Sequence, residues 1–321
     1  MGGYGGSGMG GYGGPPGMGG YGDPPGMGGY GGSGMGGYGG SGMGGYGGPP
    51  GMGGYGGPEG FGGLRGGGMG RGAGIPGGVF KKPEQVIREL EALYQWKWRG
   101  SVSIVDDNLI GNKGVLKHQL LPAIIKWMQE HNYPFVFNVQ TSINLADDPD
   151  LIGMMLEAGI NSTFIGLESP SELSNQQSNK IQNTHRDLLQ NVREIQKAGM
   201  LVSGGFILGF DSDTRYVFDQ QVDLIQQSGI VWAMIGLLNA PKNTSLYQRL
   251  EKENRITAEV TGNNTDFSMN FMPKMNRNEL LKGYQSVLQN TYAYKPYHHR
   301  IRQCLLSLGK KKRTYLSIDR Y

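Results

Sequence analysis

Residues 185–211 read HRDLLQNVREIQKAGMLVSGGFILGFD. The first part, 185–198, has the pattern of a helix, and Gly199 supplies the usual helix stop. Residues 201–208 follow as a run that is typical of a buried strand. A helix that leads directly into a buried strand is one unit of an alternating α/β fold, in which the strands lie parallel.

The same unit recurs through the middle of the chain. Further helices are predicted over 83–98, 116–129, 149–158 and 217–227, and further strands over 101–105, 135–139, 163–167 and 231–237. Strands separated by helices of this length need right-handed crossovers, which predicts a five-stranded parallel sheet. That sheet is either doubly wound or part of a (β/α) barrel, and residues 246–295 add helices with no strand between them.

The beginning of the chain has a different composition. Most of the 59 glycines in these 321 residues lie in 1–78, in an eight-or-nine-residue repeat with one tyrosine and one methionine. The repeat buries too little apolar area to offset the backbone entropy of glycine, so we expect a disordered leader. It is either a spacer or a segment that promotes self-association or RNA contact. Replacement of the natural gene start by an unrelated reading frame is a third explanation.

The rest of the chain is expected to form a barrel-like domain over 79–245 and a helical extension with a basic tail over 246–321. The net charge is +4, and the surplus lies near the end, in His298 to Arg302 and in Lys310 to Arg313. Such a run is more often a solvated tail than a nucleic-acid site, so nucleic-acid binding is not expected. The sequence contains no apolar stretch of about 18 residues and no secretory signal, which predicts a cytoplasmic protein without a membrane span.

Polar residues follow each predicted strand, at the sheet edge where parallel α/β folds bind their ligands. The set comprises Asp106, Asp107, Asn108, Ser142, Asn144, Glu168, Ser169, Asp211, Asp213 and Asn239. The alternative for Asp148, Ser169 and Asp213 is that each caps the helix after it. Residues 204–209, GGFILG, bring glycines to a strand end, where they leave room for a flat ring against the main chain. Their spacing fits neither a Walker loop nor a dinucleotide fingerprint.

Four segments together resemble the cobalamin-binding class of radical S-adenosylmethionine (SAM) proteins, with hopanoid methylase-like members nearest. They are 105–112 (VDDNLIGN), 142–147 (SINLAD), 164–169 (FIGLES) and 204–211 (GGFILGFD), and the resemblance runs from about residue 82 to 305. It implies a partial TIM-type barrel that holds SAM against a four-iron four-sulfur cluster. A cobalamin domain precedes this barrel in the family, a helical extension follows it, and the substrate is a small molecule or lipid.

The resemblance assigns roles to individual residues. Asp106, Asp107 and Asn108 match the position that holds the methionine amino group of SAM, with Ser142 on the next strand end, and Glu168 matches the ribose contact. Gly205, Ile207 and Gly209 match the segment that packs on adenine, and Asn239 would lie beside it. These chemical types suit the ligand, because an ammonium group attracts carboxylates and an adenine face needs an apolar wall.

The family holds its cluster with three cysteines in a CxxxCxxC loop after the first barrel strand, and this sequence has only Cys304. A lone cysteine is usually a small buried apolar residue, and His118 and His131 are expected at the surface. We therefore expect a barrel truncated at its first strand, without cluster or cobalamin binding, and inactive by itself. The strand over 101–105 then becomes a sheet edge, which predicts poor solubility for residues 79–321 expressed alone.

Two other functions remain open from the sequence. The first is a non-catalytic adapter that uses the leader for assembly and the basic tail for RNA. The second is a (β/α) hydrolase or aldolase in which Asp106, Asp107 and Glu168 bind a hard metal such as Mg²⁺.

Overall fold

The computed structural model describes residues 81–177, 183–184, 186–260 and 267–308. Five parallel strands form one sheet, which confirms the α/β prediction. The strands are β1 Gly100–Ser103, β2 Phe135–Thr141, β3 Ile160–Glu168, β4 Leu201–Leu208 and β5 Ala233–Leu237. The predicted leader over 1–78 and the basic residues 310–313 lie outside the described residues.

The order of the strands decides between the two architectures left open by the sequence. The strands lie side by side in chain order, β1-β2-β3-β4-β5. Because right-handed crossovers that always step in one direction place their helices on one face, the sheet is singly wound, as in a barrel. A doubly wound sheet would reverse its order at one point. The fold is a half barrel, as the resemblance implied.

The helices are α1 Pro83–Gln95, α2 Lys113–Val115, α3 Leu121–Glu130, α4 Pro149–Glu157, α5 Glu172–Gln177, α6 Leu188–Ala198, α7 Val217–Ser228, α8 Ser245–Lys252, α9 Arg277–Tyr292 and α10 Tyr294–Ser307. Four of the five helices predicted before residue 246 are present, with ends that differ by up to three residues, and the short helices α2 and α5 were not predicted. The single helix predicted over 116–129 is wrong, because Leu116–Leu120 forms a π-helical turn before α3. Pro122 explains the break, since its ring lacks an N–H and crowds the carbonyl four residues earlier.

The two faces of the sheet differ in exposure. Side chains at alternate positions, such as Phe137, Ile165 and Phe206, are buried in one apolar core. The opposite face is partly open and carries mostly polar residues and glycines. The residues of this face, which lie beside one another on neighbouring strands, include Ser103, Asn138, Gln140, Phe164, Gly166, Ser203, Gly205, Ile207, Met234 and Gly236. This open face is the concave side of the half barrel.

An aromatic cluster joins α1, α3 and β2. The ring of Trp127 stacks on His131 at a centroid distance of 4.2 Å and on Phe135 at 5.5 Å. Glu91 accepts the Trp127 indole N–H at 3.0 Å and lies 3.4 Å from the His131 ring. The prediction that His131 is a surface residue is therefore wrong, because its ring is half-buried in this cluster.

The C-terminal helices cover the free edge of β5. The Tyr292 hydroxyl donates to Ala233 O at 2.7 Å and accepts from Ala233 N at 3.1 Å. The Tyr284 hydroxyl donates to Ile235 O at 3.0 Å. These bonds satisfy backbone groups of β5 that would otherwise be unpaired.

Arg300 fixes the position of α10. Its side chain is fully buried, and its guanidinium donates to the carbonyls of Ile230 and Thr291. Thr291 lies in the last turn of α9, where the helix dipole favours a cation. Cys304 is buried, as expected for a lone cysteine. None of the helices described is long and apolar enough to cross a bilayer.

Candidate functional site

The five segments at the carboxyl ends of the strands form what we call the carboxyl rim. They are 104–108, 142–144, 168–171, 209–213 and 238–240. Because the strands are parallel, these segments lie at the same edge of the sheet. The structure therefore places Asp107, Glu168 and Gly209 at one edge rather than on opposite sides of the fold.

The loops after β1 and β2 are tied together by side chains. The Asn108 amide oxygen accepts the backbone N–H of Ser142 at 3.1 Å, and the Ser142 hydroxyl donates to Asn144 Oδ1 at 2.6 Å. Asp106 and Asp107 are exposed, and neither forms an ion pair within the described ranges. Two carboxylates at this end of the rim are thus accessible to a cationic group.

Glu168 ends β3 in an unusual conformation. It is 5% exposed and has φ +59°, in the left-handed region that non-glycine residues rarely adopt. The pairing of β3 with β4 shifts register between Gly166 and Glu168, as in a β-bulge. Bulges turn a side chain to a new direction and occur often beside active sites. Sequence analysis found the residue but not its strained backbone.

Asn183 supports this strand end and was missed by the sequence analysis. Its amide nitrogen donates to Gly166 O at 3.1 Å and to Leu167 O at 3.2 Å. Both carbonyls directly precede Glu168, so Asn183 holds the peptide that carries the carboxylate. A residue 15 positions later in a loop gives no local signal of this contact.

The glycines of β4 and of the turn that follows it have separate explanations. A Cβ at Gly205 would lie 2.7 Å from the Phe164 ring, so the ring that approaches this backbone belongs to the protein itself. Gly209 has φ +105°, which strongly favours glycine at this turn. Asp213 holds that turn by accepting the N–H groups of Gly209 at 2.8 Å and Phe210 at 3.0 Å.

The alternative role of Asp213 as a helix cap is wrong. Helix α7 begins four residues later, at Val217, and the carboxylate binds the turn before it. It also accepts the Ser174 hydroxyl at 2.9 Å. Burial raises the pKa of Asp213 despite these hydrogen bonds. Asp148, in contrast, caps α4 by accepting Leu151 N at 3.1 Å, as the cap interpretation predicted.

The end of β5 contributes Asn239 and an open space. The Asn239 amide donates to the carbonyls of Leu237 and Ser268 and accepts Asn270 N at 3.1 Å, so it anchors a later segment. Among the described residues, Gly236 has no atom beyond its chain neighbours within 4 Å of the position of a Cβ. It pairs with Ile207 on the open face. Here the backbone is accessible to a flat group, as the sequence analysis expected at Gly205.

An ion-pair network that the sequence did not reveal lies at the end of β4. Asp211 binds Arg255 through both carboxylate oxygens, at 2.6 and 2.9 Å, and Arg249 at 2.7 Å. Burial is the largest influence on the carboxyl, but the two arginines outweigh it and lower the pKa of Asp211 to about 2. Asp211 thereby joins the rim to α8 and the segment after it.

The carboxyl rim contains the residue types that the predicted SAM site calls for. The rim offers exposed carboxylates, a buried acid and an open glycine beside an apolar side chain, which match the ammonium, ribose and adenine groups. In the described part of the chain, no three His, Cys, Asp or Glu side chains are grouped so that they could hold a metal ion. Asp106, Asp107 and Glu168 are therefore not grouped as a three-residue metal site.

Comparisons with known proteins give several relatives. "Uncharacterized methyltransferase sll1242" of Synechocystis sp. is 40% identical over 233 residues, 72% of this chain and 43% of the relative. "Hopanoid C-2 methylase" of Rhodopseudomonas palustris is 33% identical over 60% of this chain and 36% of its own length. "Bacteriochlorophyllide d C-8(2)-methyltransferase" of Chlorobaculum tepidum is 26% identical over 38% of this chain and 28% of its own. The chain spans less than half the length of these relatives.

A family model described as a domain of unknown function, DUF4070, matches residues 244–318. Among solved structures, the radical SAM enzyme coproporphyrinogen III oxidase of Escherichia coli aligns over 66% of this chain and 48% of its own, with 12% identity and a TM-score of 0.40. The cobalamin-dependent SAM radical enzyme OxsB aligns over 65% and 31%, with 15% identity and a TM-score of 0.36. The sequence relatives confirm the resemblance of this chain to the cobalamin-binding class of radical SAM proteins.

Proposed function

We propose that this chain forms the SAM-binding half barrel of a radical SAM methyltransferase of the cobalamin-binding class. The observation that carries the proposal is Glu168, a buried acid held in a strained conformation at the carboxyl rim. Such strain persists only where the surrounding structure imposes it, and it concentrates at functional sites. The names of two relatives indicate that the acceptor in the complete enzyme is a small molecule.

Each part of SAM has a candidate partner at the rim. Asp106 and Asp107 attract the amino group, while Asn108 and Ser142 hold the two loops beside it at a fixed separation. Glu168 accepts the ribose hydroxyls. SAM, when bound, supplies an activated sulfonium group, and the residues of the protein determine where that group lies.

The adenine wall comprises Ile207 and the partly exposed backbone of Gly236. Gly209 shapes the turn at the end of this wall through its hydrogen bond to Asp213. Asn239 borders the wall and orders the segment around Asn270. Gly205 supports the wall indirectly, because it accommodates Phe164 on the open face.

We further propose that this polypeptide does not cleave SAM by itself. Thiolates are the usual ligands of a four-iron four-sulfur cluster, and the only cysteine of the sequence, Cys304, is buried in α10. Burial also raises the pKa of its thiol, which disfavours the thiolate. The residues of this chain thus do not fit the cluster.

Titration calorimetry of the full chain with SAM tests the binding half of the proposal. We expect measurable affinity, and we expect Glu168→Gln to weaken it by about tenfold or more, because a neutral amide accepts the ribose hydroxyls less strongly. The matched control is Glu157→Gln, a substitution of an exposed glutamate at the C-terminal end of α4. Absence of SAM binding in a folded sample, or equal affinities for the two variants, would contradict the proposed site.

Anaerobic reconstitution with iron and sulfide tests the second half. We expect no stoichiometric cluster and no formation of deoxyadenosine from SAM. A chain that gains a cluster and produces deoxyadenosine would overturn the proposed inactivity and leave the SAM site intact.

A further inference from the structure

The last helix described, α10, turns one face to the protein and the other to solvent. Arg300 and Cys304 are buried one turn apart, so this side of the helix is held against the rest of the fold. The opposite side, which we call the outer face of α10, comprises the exposed residues Tyr294, Lys295, His298, His299, Arg302, Leu305 and Leu306. At about 100° per residue, these side chains share roughly 140° of the helix surface.

The outer face exposes large apolar side chains in a row. Leu305 is 61% exposed, Leu306 is 73% exposed, and Tyr294 is 83% exposed. Tyr294 lies in line with Leu305, about three helical turns earlier. Single exposed apolar residues are common on soluble proteins, whereas apolar side chains grouped on one face and bordered by polar residues mark an interaction surface.

The charge on and around this face has one sign. The outer face carries Lys295 and Arg302 and no carboxylate. Residues 280–318 contain no Asp or Glu, and the run Lys310 to Arg313 follows α10 closely in the sequence. Because like charges repel, the partner that suits this face carries negative charge as well as an apolar surface.

An anionic lipid bilayer has both properties. Its phosphates lie above a hydrocarbon layer, so basic side chains pair with the headgroups while leucines enter the layer below. Lysine and arginine have long apolar stems, which let their charges reach the headgroups from the same face. Tyrosine is favoured at this boundary because its ring is apolar and its hydroxyl polar. Nucleic acid would pair with the basic residues but would leave the leucines in water.

We propose that the outer face of α10 binds the surface of anionic lipid bilayers. The helix lies along the boundary between headgroups and hydrocarbon, with Leu305 and Leu306 inserted and Lys295 and Arg302 beside lipid phosphates. The basic residues 310–313 add to the attraction through their charge. Because few apolar side chains insert, the attachment is reversible, and it weakens as salt screens the charges. This inference does not depend on SAM binding.

Flotation of the full chain with lipid vesicles tests the proposal. We expect binding to vesicles of phosphatidylcholine mixed with phosphatidylglycerol, release at high salt, and binding to phosphatidylcholine alone that is about tenfold or more weaker. Leu305→Ser combined with Leu306→Ser should raise the apparent dissociation constant about tenfold or more, because the inserted apolar area is lost. Lys295→Gln combined with Arg302→Gln should raise it about tenfold.

The matched controls are exposed side chains of the same types elsewhere on the protein. Leu173→Ser on α5 and Lys126→Gln on α3 should each change vesicle binding by less than about twofold. All of the substituted side chains are exposed, so each variant should keep the circular dichroism spectrum of the wild type.

A fluorescent label tests the contact itself. Leu306→Cys, labelled with the environment-sensitive dye nitrobenzoxadiazole, should shift its emission to the blue when mixed vesicles are added, because the dye leaves water. The same dye at Leu173→Cys should not shift. The native Cys304 is buried, so the introduced thiol takes the label.

Three results would overturn the proposal. One is a full chain that does not bind mixed vesicles, as when RNA or a second copy of the chain covers the face instead. Another is vesicle binding that either paired substitution leaves intact, which would place the contact elsewhere, for instance in residues 1–78. The third is a dye at position 306 whose emission stays unchanged although the chain is bound.

Discussion

Replacement of Asp211 by asparagine should destabilise the fold in a pH-dependent way. The carboxylate is 6% exposed and binds Arg255 and Arg249 at 2.6 to 2.9 Å. These contacts lower its pKa from an ordinary 3.8 to about 2. At about 1.4 kcal/mol per pH unit, a shift of this size corresponds to roughly 2.5 kcal/mol of stability at neutral pH.

The pH range follows from the direction of the shift. A carboxyl whose pKa is depressed on folding contributes its full stabilisation above its unfolded value, near 4. It loses that contribution as the pH falls through its folded value, near 2. Asp211→Asn should therefore lower the free energy of unfolding by about 2–4 kcal/mol at pH 7, because the largely buried Arg255 also loses one of its two charged partners and keeps only Glu253. The difference from wild type should shrink between pH 4 and pH 2.

Urea unfolding followed by far-UV circular dichroism measures this free energy at each pH. Asp223→Asn, an exposed carboxylate on α7, is the control and should change stability by less than about 0.5 kcal/mol. Equal stabilities of the two variants at pH 7 would refute the reasoning. A difference from wild type that stays constant down to pH 2 would also refute it, because the carboxylate charge would then play no part.

Three further predictions concern single residues. Arg300→Met should lower the free energy of unfolding by about 3 kcal/mol, because two buried carbonyls lose their donor, and a thermal melt of the full chain measures this. Gly205→Ala should cost about 1–3 kcal/mol because a Cβ meets the ring of Phe164 at 2.7 Å, whereas Gly236→Ala, in open space, should be neutral within about 0.5 kcal/mol. Gly209→Ala should cost about 1–2 kcal/mol in urea unfolding, since alanine is strained at φ +105°.

The repeating unit of the fold could be predicted because its signals are local. The strand of residues 201–208 and the helix end at Gly199 were placed from a few neighbouring residues, and the structure has Leu201–Leu208 and a left-handed Gly199. The π-helical turn at Leu116–Leu120 was missed, although Pro122 was visible in the sequence. Apolar residues at helical spacing continue on both sides of the proline, so the pattern alone indicates one uninterrupted helix.

The details of the rim could not be predicted, because they depend on contacts between distant residues. Asp211 and Arg255 are 44 positions apart and meet only after α8 folds back onto the end of β4. The strain at Glu168 arises from a register shift between two strands, which no single segment encodes. The sequence also does not show what occupies the space beside a glycine. The space at Gly205 is filled by Phe164, whereas the space at Gly236 is open.

The rim contains two kinds of polar side chain, and the distinction bears on how a ligand would bind. Asn108 and Asn239 form hydrogen bonds with the protein backbone, so they hold the loops in place before any ligand binds. Asp106 and Asp107 are exposed and form no ion pair with other described residues. Changes to the amides should therefore reduce stability and ligand affinity together. Changes to the two exposed carboxylates should reduce affinity alone, because they carry no structural contact that folding requires.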